Sequence, residues 1–189
     1  MKLKRRDEQG VTLSELLIAM VITTIIIVPI AGAMYTSLHT SASAQKRIQL
    51  SAGANLFSSY FGADVPNAVT VATNVTEDSA VCGGTARTVG LLLTTQAGQS
   101  SVSYYTVPNS GTTTSTLYRR TCNVVGGSGS AAPAVRIMRS VSAGPTFACA
   151  PVAGCDANWQ GVTATVVQSD PVYSPAAYTT TLKASRRVS

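Results

Sequence analysis

Charge is scarce in this sequence: Asp, Glu, Lys and Arg make up 12% of its 189 residues, about half the share usual in a soluble domain. A charged shell is therefore not what keeps the chain dispersed. Aromatic residues are only 6%, and histidine occurs once, at His39. Beyond the first ten residues there are six acidic side chains, and with a single histidine they offer no convergent base, activated nucleophile or carboxylate pair for hydrolytic or acid–base chemistry. Asp64, Glu77, Asp78, Asp156 and Asp170 lack the spacing of a calcium loop, and no Gly-rich phosphate cradle follows a strand and opens a helix. The expectation is a chain that is not an enzyme and that holds no cofactor and no metal.

What the sequence does have is apolar residues, 45% of the total, many of them in one block. Residues 11 to 38 read VTLSELLIAMVITTIIIVPIAGAMYTSL, with Glu15 the only charge, and that length suffices to cross a hydrocarbon core of about 30 Å. The leader before it, MKLKRRDEQG, has four basic and two acidic residues, so its end stays cytoplasmic and the remainder faces outward. All four cysteines, Cys82, Cys122, Cys149 and Cys155, follow the block. On the oxidising side of a membrane an even count reads as two disulfides. No pair has the short spacing that puts two thiolates on one zinc. Three connectivities are open; Cys149 and Cys155 are near enough to close a small loop, which would leave Cys82 with Cys122, and that is the favoured pairing.

Glu15 is the odd residue of the block. An ionised carboxylate inside a bilayer costs about 2.5–3.5 kcal/mol on insertion scales unless it finds a partner. The string GVTLSELL supplies a reading: a basic leader, then Gly10, a hydrophobic residue, and a glutamate as the fifth residue after that glycine. It resembles the signal of type IV prepilins. The resemblance implies cleavage between Gly10 and Val11 by a membrane prepilin peptidase and methylation of the new N-terminus at Val11. It also implies an ion pair between Glu15 and the N-terminal amine of a neighbouring subunit. Val11 departs from the Phe, Met or Leu usual there but keeps the position hydrophobic. The competing reading is an ordinary secretory signal, with Leu16–Val28 as its apolar core and a cleavage site at 31–33 after Pro29, giving a secreted β-rich binding or adhesive protein that begins near Met34. That reading leaves Glu15 unexplained, and Pro29 is then better placed as an internal kink of one helix.

Past the block, Leu38, Ala42, Gln45, Ile48, Ala52, Leu56 and Tyr60 recur at three and four, which predicts an amphipathic continuation over 39–62 that ends near Phe61, with Gly62 as its cap and Pro66 beyond. The rest reads as strands at 88–95, 101–107, 116–122, 135–141, 162–168 and 178–188, joined by Gly-, Ser- and Pro-rich turns. Stretches 126–133 and 145–161 read as loops, the latter pinned by the second disulfide. Trp159 and Tyr173 are single aromatics suited to a core. The order of one long helix followed by an antiparallel sheet is α+β, and it matches the pilin-like fold.

The organisation expected is thus a leader at 1–10, a membrane or filament-core half-helix at 11–38, an amphipathic half at 39–62 and an extracytoplasmic β domain at 63–189. Strand strings such as YYTV, LYRR and VRIMRSV also resemble minor pilins and pseudopilins of the PilW or GspJ kind. That resemblance implies an accessory subunit of a pilus, secretion or DNA-uptake filament, with other pilins, prepilin peptidase and the cytoplasmic membrane as partners. A basic patch at Lys183, Arg186 and Arg187 is a candidate contact for nucleic acid, although no aromatic stripe accompanies it.

Overall fold

A computed structural model of the chain describes residues 12–77, 87–95, 100–125, 128–151, 155, 158–170 and 174–187. Gly10, Val11, Asp78, Cys82, Asp156 and Tyr173 lie outside the described residues. The chain forms two compact units, Met1–Ala44 and Gln45–Ser189, whose boundary falls within helix α1, Leu13–Asp64.

In the first unit α1 carries its large apolar side chains exposed, from Leu13 and Leu16 through Ile25, Ile26 and Ile27 to Leu38. The threonines interspersed with them bond back to the helix. Thr23 donates to the Ala19 carbonyl at 2.7 Å, Thr36 to that of Gly32 at 3.0 Å and Thr40 to that of Thr36 at 2.9 Å. Such back-bonding hides a hydroxyl where no water is at hand. Pro29 lies inside α1 without ending it.

The second unit holds one antiparallel sheet. Its strands are β1 (Ala68–Glu77), β2 (Arg87–Thr95), β3 (Ser100–Pro108), β4 (Ser115–Val125), β5 (Ser128–Ala131), β6 (Val135–Ala150), β7 (Gly161–Asp170) and β8 (Ser174–Ser185). The order across the sheet is β1-β2-β3-β4-β6-β7-β8, with β5 paired to β4. The α+β class holds, and the six expected strands are β2, β3, β4, β6, β7 and β8. Two strands were missed. β1 is a β-branched run, AVTVATNVTE, and β5 lies in the Gly/Ser stretch expected to be a loop, where Val125 pairs with Ser128. β6 also runs on through Ala150 into the expected loop at 145–161, because β7 pairs with it as far as Gly161.

The end of α1, from Leu50 onward, packs on this sheet, but not through the expected face. Leu50, Ala54, Phe57 and Phe61 are buried, whereas Ile48 is 66% and Leu56 39% exposed. Both sets have helical spacing; the one with two phenylalanines removes more apolar area from water and takes the core. Phe57 and Phe61 meet edge-on the ring of Tyr104 at 5.8 and 6.4 Å, among Leu91, Leu93, Leu117, Met138 and Val166. The helix also passes Gly62 and stops at Asp64, followed by a single 3-10 turn, Val65–Asn67.

The sheet curls so that its β7–β8 end meets β1. Trp159, 2% exposed and part of the core, donates from Nε1 to the Val69 carbonyl at 3.2 Å. The Arg186 N–H donates to Gln160 at 2.8 Å and that of Arg187 to Pro66 at 3.3 Å. Beside this closure, Gly161 permits the close pairing of β7 with β8, since a Cβ there would stand 3.0 Å from the Ala184 carbonyl oxygen, a backbone atom that β8 pairing holds in place. Gly161→Ala is therefore expected to destabilise the unit by about 1–3 kcal/mol, read as a lowered denaturant midpoint with an unchanged slope.

Candidate functional site

The site begins where α1 begins. Thr12 sits just before the first helical residue, and its Oγ1 accepts from the Glu15 N–H at 3.4 Å while its carbonyl accepts from the Glu15 and Leu16 N–H groups at 3.0 and 3.2 Å. Thr12 is thus the N-cap and Glu15 the third helical residue, the T-x-x-E pattern of a capping box. Its hydroxyl also lies 3.1 Å from that of Ser14. The Glu15 carboxylate is exposed in the first turn, where the N-terminal end of the helix dipole favours negative charge. The sequence reading of Glu15 overlooked this local support, although the spacing Thr12 to Glu15 before an apolar run was there to be read. Glu15 therefore has an anchored backbone and an outward carboxylate on a helix that is long and apolar enough to cross a membrane.

Residues 5–31 match the family model described as the prokaryotic N-terminal methylation motif. This is the type IV pilin and pseudopilin signal. It covers residues 5–10 of the leader, the Gly10–Val11 junction, Glu15 and most of the apolar run, so the chain carries a type IV pilin-like signal for processing by prepilin peptidase, on a helix apolar enough to serve as a membrane anchor before assembly. No curated protein and no solved structure matches the chain. The pilin signal is thus the part of the chain that comparison illuminates, and the β unit is read from its own geometry.

That geometry places the remaining expected residues. Cys149 and Cys155 are joined, with Cα atoms 5.0 Å apart, tying the end of β6 to the segment that carries Trp159. Cys122 is disulfide-bonded as well, and its expected partner Cys82 lies outside the described residues. Lys183 is on edge strand β8; the Arg186 guanidinium lies 5.7 Å from the Trp159 ring centre. Arg186 and Arg187 thus take part in the closure of the sheet through stacking and backbone bonds. His39 is exposed on α1 near Tyr35, ring centres 6.5 Å apart.

One group of charges escaped the sequence reading altogether. Asp64, the last residue of α1, accepts a two-pronged contact from Arg119 on β4, Nε to Oδ2 and Nη2 to Oδ1, each at 2.7 Å. The Tyr104 hydroxyl on β3 donates to Oδ2 as well, and the Tyr60 ring lies 4.7 Å from the guanidinium carbon. Burial, reinforced by the Asp64 carboxylate, pushes the Tyr104 phenol far above its usual range. The hydrogen bond to Asp64 raises Arg119 further still, against its own burial. These residues are 40 and 55 positions from Asp64 in sequence, so no local pattern announces them. They fasten the C-terminal end of α1 to strands β3 and β4.

Proposed function

We propose that this protein is a minor pilin or pseudopilin: a non-enzymatic structural subunit that joins the initiation or tip complex of a type IV pilus, or of a related secretion or DNA-uptake filament, and ends at the cell surface. The observation that supports this best is Glu15, an exposed carboxylate on the first turn of an apolar helix within the methylation motif. In a bilayer or filament core such a charge is stable only with a cation at hand. The cleaved and methylated amine of a neighbouring Val11 supplies one. Chemistry here reduces to helix packing and that ion pair. A subunit whose β unit has a basic balance, with few acidic residues to answer it in an identical neighbour, suits an accessory position more than a self-polymer.

The test is mass spectrometry of the N-terminal peptide from protein recovered from its native membrane, for wild type and Gly10→Glu. The expected mature chain begins at Val11 with a methylated amine, and the substitution leaves the leader attached. A chain beginning at Met34 would instead establish an ordinary secreted protein and remove the role given to Glu15.

A further inference from the structure

The helix stripe left out of the core borders the start of β6, where the strand is irregular. Met138 pairs with Leu117 and Arg136 with Tyr118, so Ile137 is an extra residue; between Met138 and Val141, paired with Leu117 and Ser115, β6 gains another. These two bulges bury the consecutive residues Ile137 and Met138 and leave Arg136 and Arg139 both exposed. The arrangement is held deliberately: Ser140 adopts φ 56°, and the buried Gln168 side chain donates to the Arg139 carbonyl at 2.9 Å. Between this stretch and the helix lies a partly open groove of about 360 Å³. Its apolar floor includes Ala52, Leu56 and Ile137, its rim carries Lys46, Arg136 and Arg139, and among the described residues no carboxylate lines it.

We infer that this groove docks an acidic amphipathic helix from a different protein, and, on the reading that the chain is a filament subunit, that the protein is a neighbouring subunit. A straight apolar stripe on a helix, Ile48, Ala52 and Leu56, is complemented by the apolar face of a second helix. The two exposed arginines, Arg136 and Arg139, select carboxylates flanking that face. A second copy of this chain is the wrong partner, because without the leader's four basic and two acidic residues it still has 10 basic against 6 acidic residues, and Asp64 and Glu77 are already engaged with arginines of the same chain. Two like-charged surfaces would meet instead. Nucleic acid would answer the cations but leaves the apolar floor and stripe without a use.

The test uses the full chain in detergent micelles and a fluorescent synthetic helix with leucines on one face and glutamates beside them. Its comparators are the same helix with glutamine for glutamate, a scrambled version of equal charge, and a single-stranded oligonucleotide. The acidic amphipathic helix is expected to bind, with about tenfold weaker binding by the glutamine version, by the scrambled version and by the double variant Arg136→Glu, Arg139→Glu. That double variant is expected to gain binding of a lysine version of the helix, which an unfolded protein could not do. Equal binding of the scrambled helix or the oligonucleotide, or no effect of the double variant, overturns the proposal. So does self-association that Leu56→Glu abolishes, which assigns the groove to a second copy. Processing at Gly10 reports on the filament reading separately: a correctly cleaved chain that fails to bind the helix sinks the groove alone.

Discussion

Arg119→Ala is expected to destabilise the second unit by about 3–5 kcal/mol, the range for removing one partner of a buried ion pair. The side chains of Arg119 and Asp64 are 15% and 9% exposed, so the carboxylate left behind would remain largely out of water. It would also sit at the C-terminal end of α1, where the helix dipole disfavours negative charge. Arg119→Lys retains the charge but not the planar fork, and is expected to recover only part of the loss. The companion measurement is pH dependence. Tyr104 has a folded-state pKa raised well above the unfolded one; its contribution is complete below about pH 10 and declines as pH rises, by about 1.4 kcal/mol per unit, because only the unfolded chain releases the proton. Denaturation monitored by tyrosinate absorbance should therefore show stability falling above pH 10, with a shallower fall in Tyr104→Phe. Equal slopes for the two proteins would show that Tyr104 ionises in the folded state and that its contact with Asp64 is weak.

The same cluster shows which parts of the molecule could be read from sequence. The membrane helix and its signal were legible because every element is local: a basic leader, a glycine, a glutamate at a fixed interval and an unbroken apolar run. Strands β2, β3, β4, β6, β7 and β8 were legible from β-branched and aromatic runs. The choice of helix face was not. Leu50–Phe61 and Ile48–Leu56 are both apolar at helical spacing, and only the sheet's own residues, Tyr104, Leu91 and Met138, decide which is covered. The helix end was misplaced for a related reason. Gly62 and Pro66 are local stop signals, but Asp64 is held by partners on β3 and β4 that carry the helix past the glycine. Likewise, the bulges in β6 depend on which residues of β4 and β7 lie opposite, and these bulges create the groove.

Glu77→Ala is expected to release one corner of the sheet while leaving the rest folded. β1 and β2 stay paired out to Glu77 and Arg87, yet β2 pairs with β3 only over Leu91–Thr94. The outer part of this strand pair is therefore an arm with no third strand paired to it among the described residues, and Asn74, at φ 53°, lies where it departs. Its attachment is polar. Glu77, 4% exposed, accepts from the Ser103 hydroxyl at 3.0 Å, with Arg120 Nη1 at 3.6 Å and Arg87 Nε at 3.9 Å, while the Arg87 guanidinium lies 4.5 Å from the Tyr105 ring centre and Tyr105 stacks on Tyr118. Because Arg87 is 30% exposed, the loss should fall near the low end for a buried pair, about 3 kcal/mol. Hydrogen exchange distinguishes a local from a global effect: amides of Arg87–Gly90 should lose protection, while those of β7 and β8 keep theirs. Glu77→Gln, which retains the shape and an acceptor for Ser103 but not the charge, should fall between the two. Uniform loss of protection across the sheet would instead make the arm part of the same cooperative core as Phe57 and Tyr104. Unchanged exchange in the arm would mean that packing of Val89, and not the carboxylate, holds it in place.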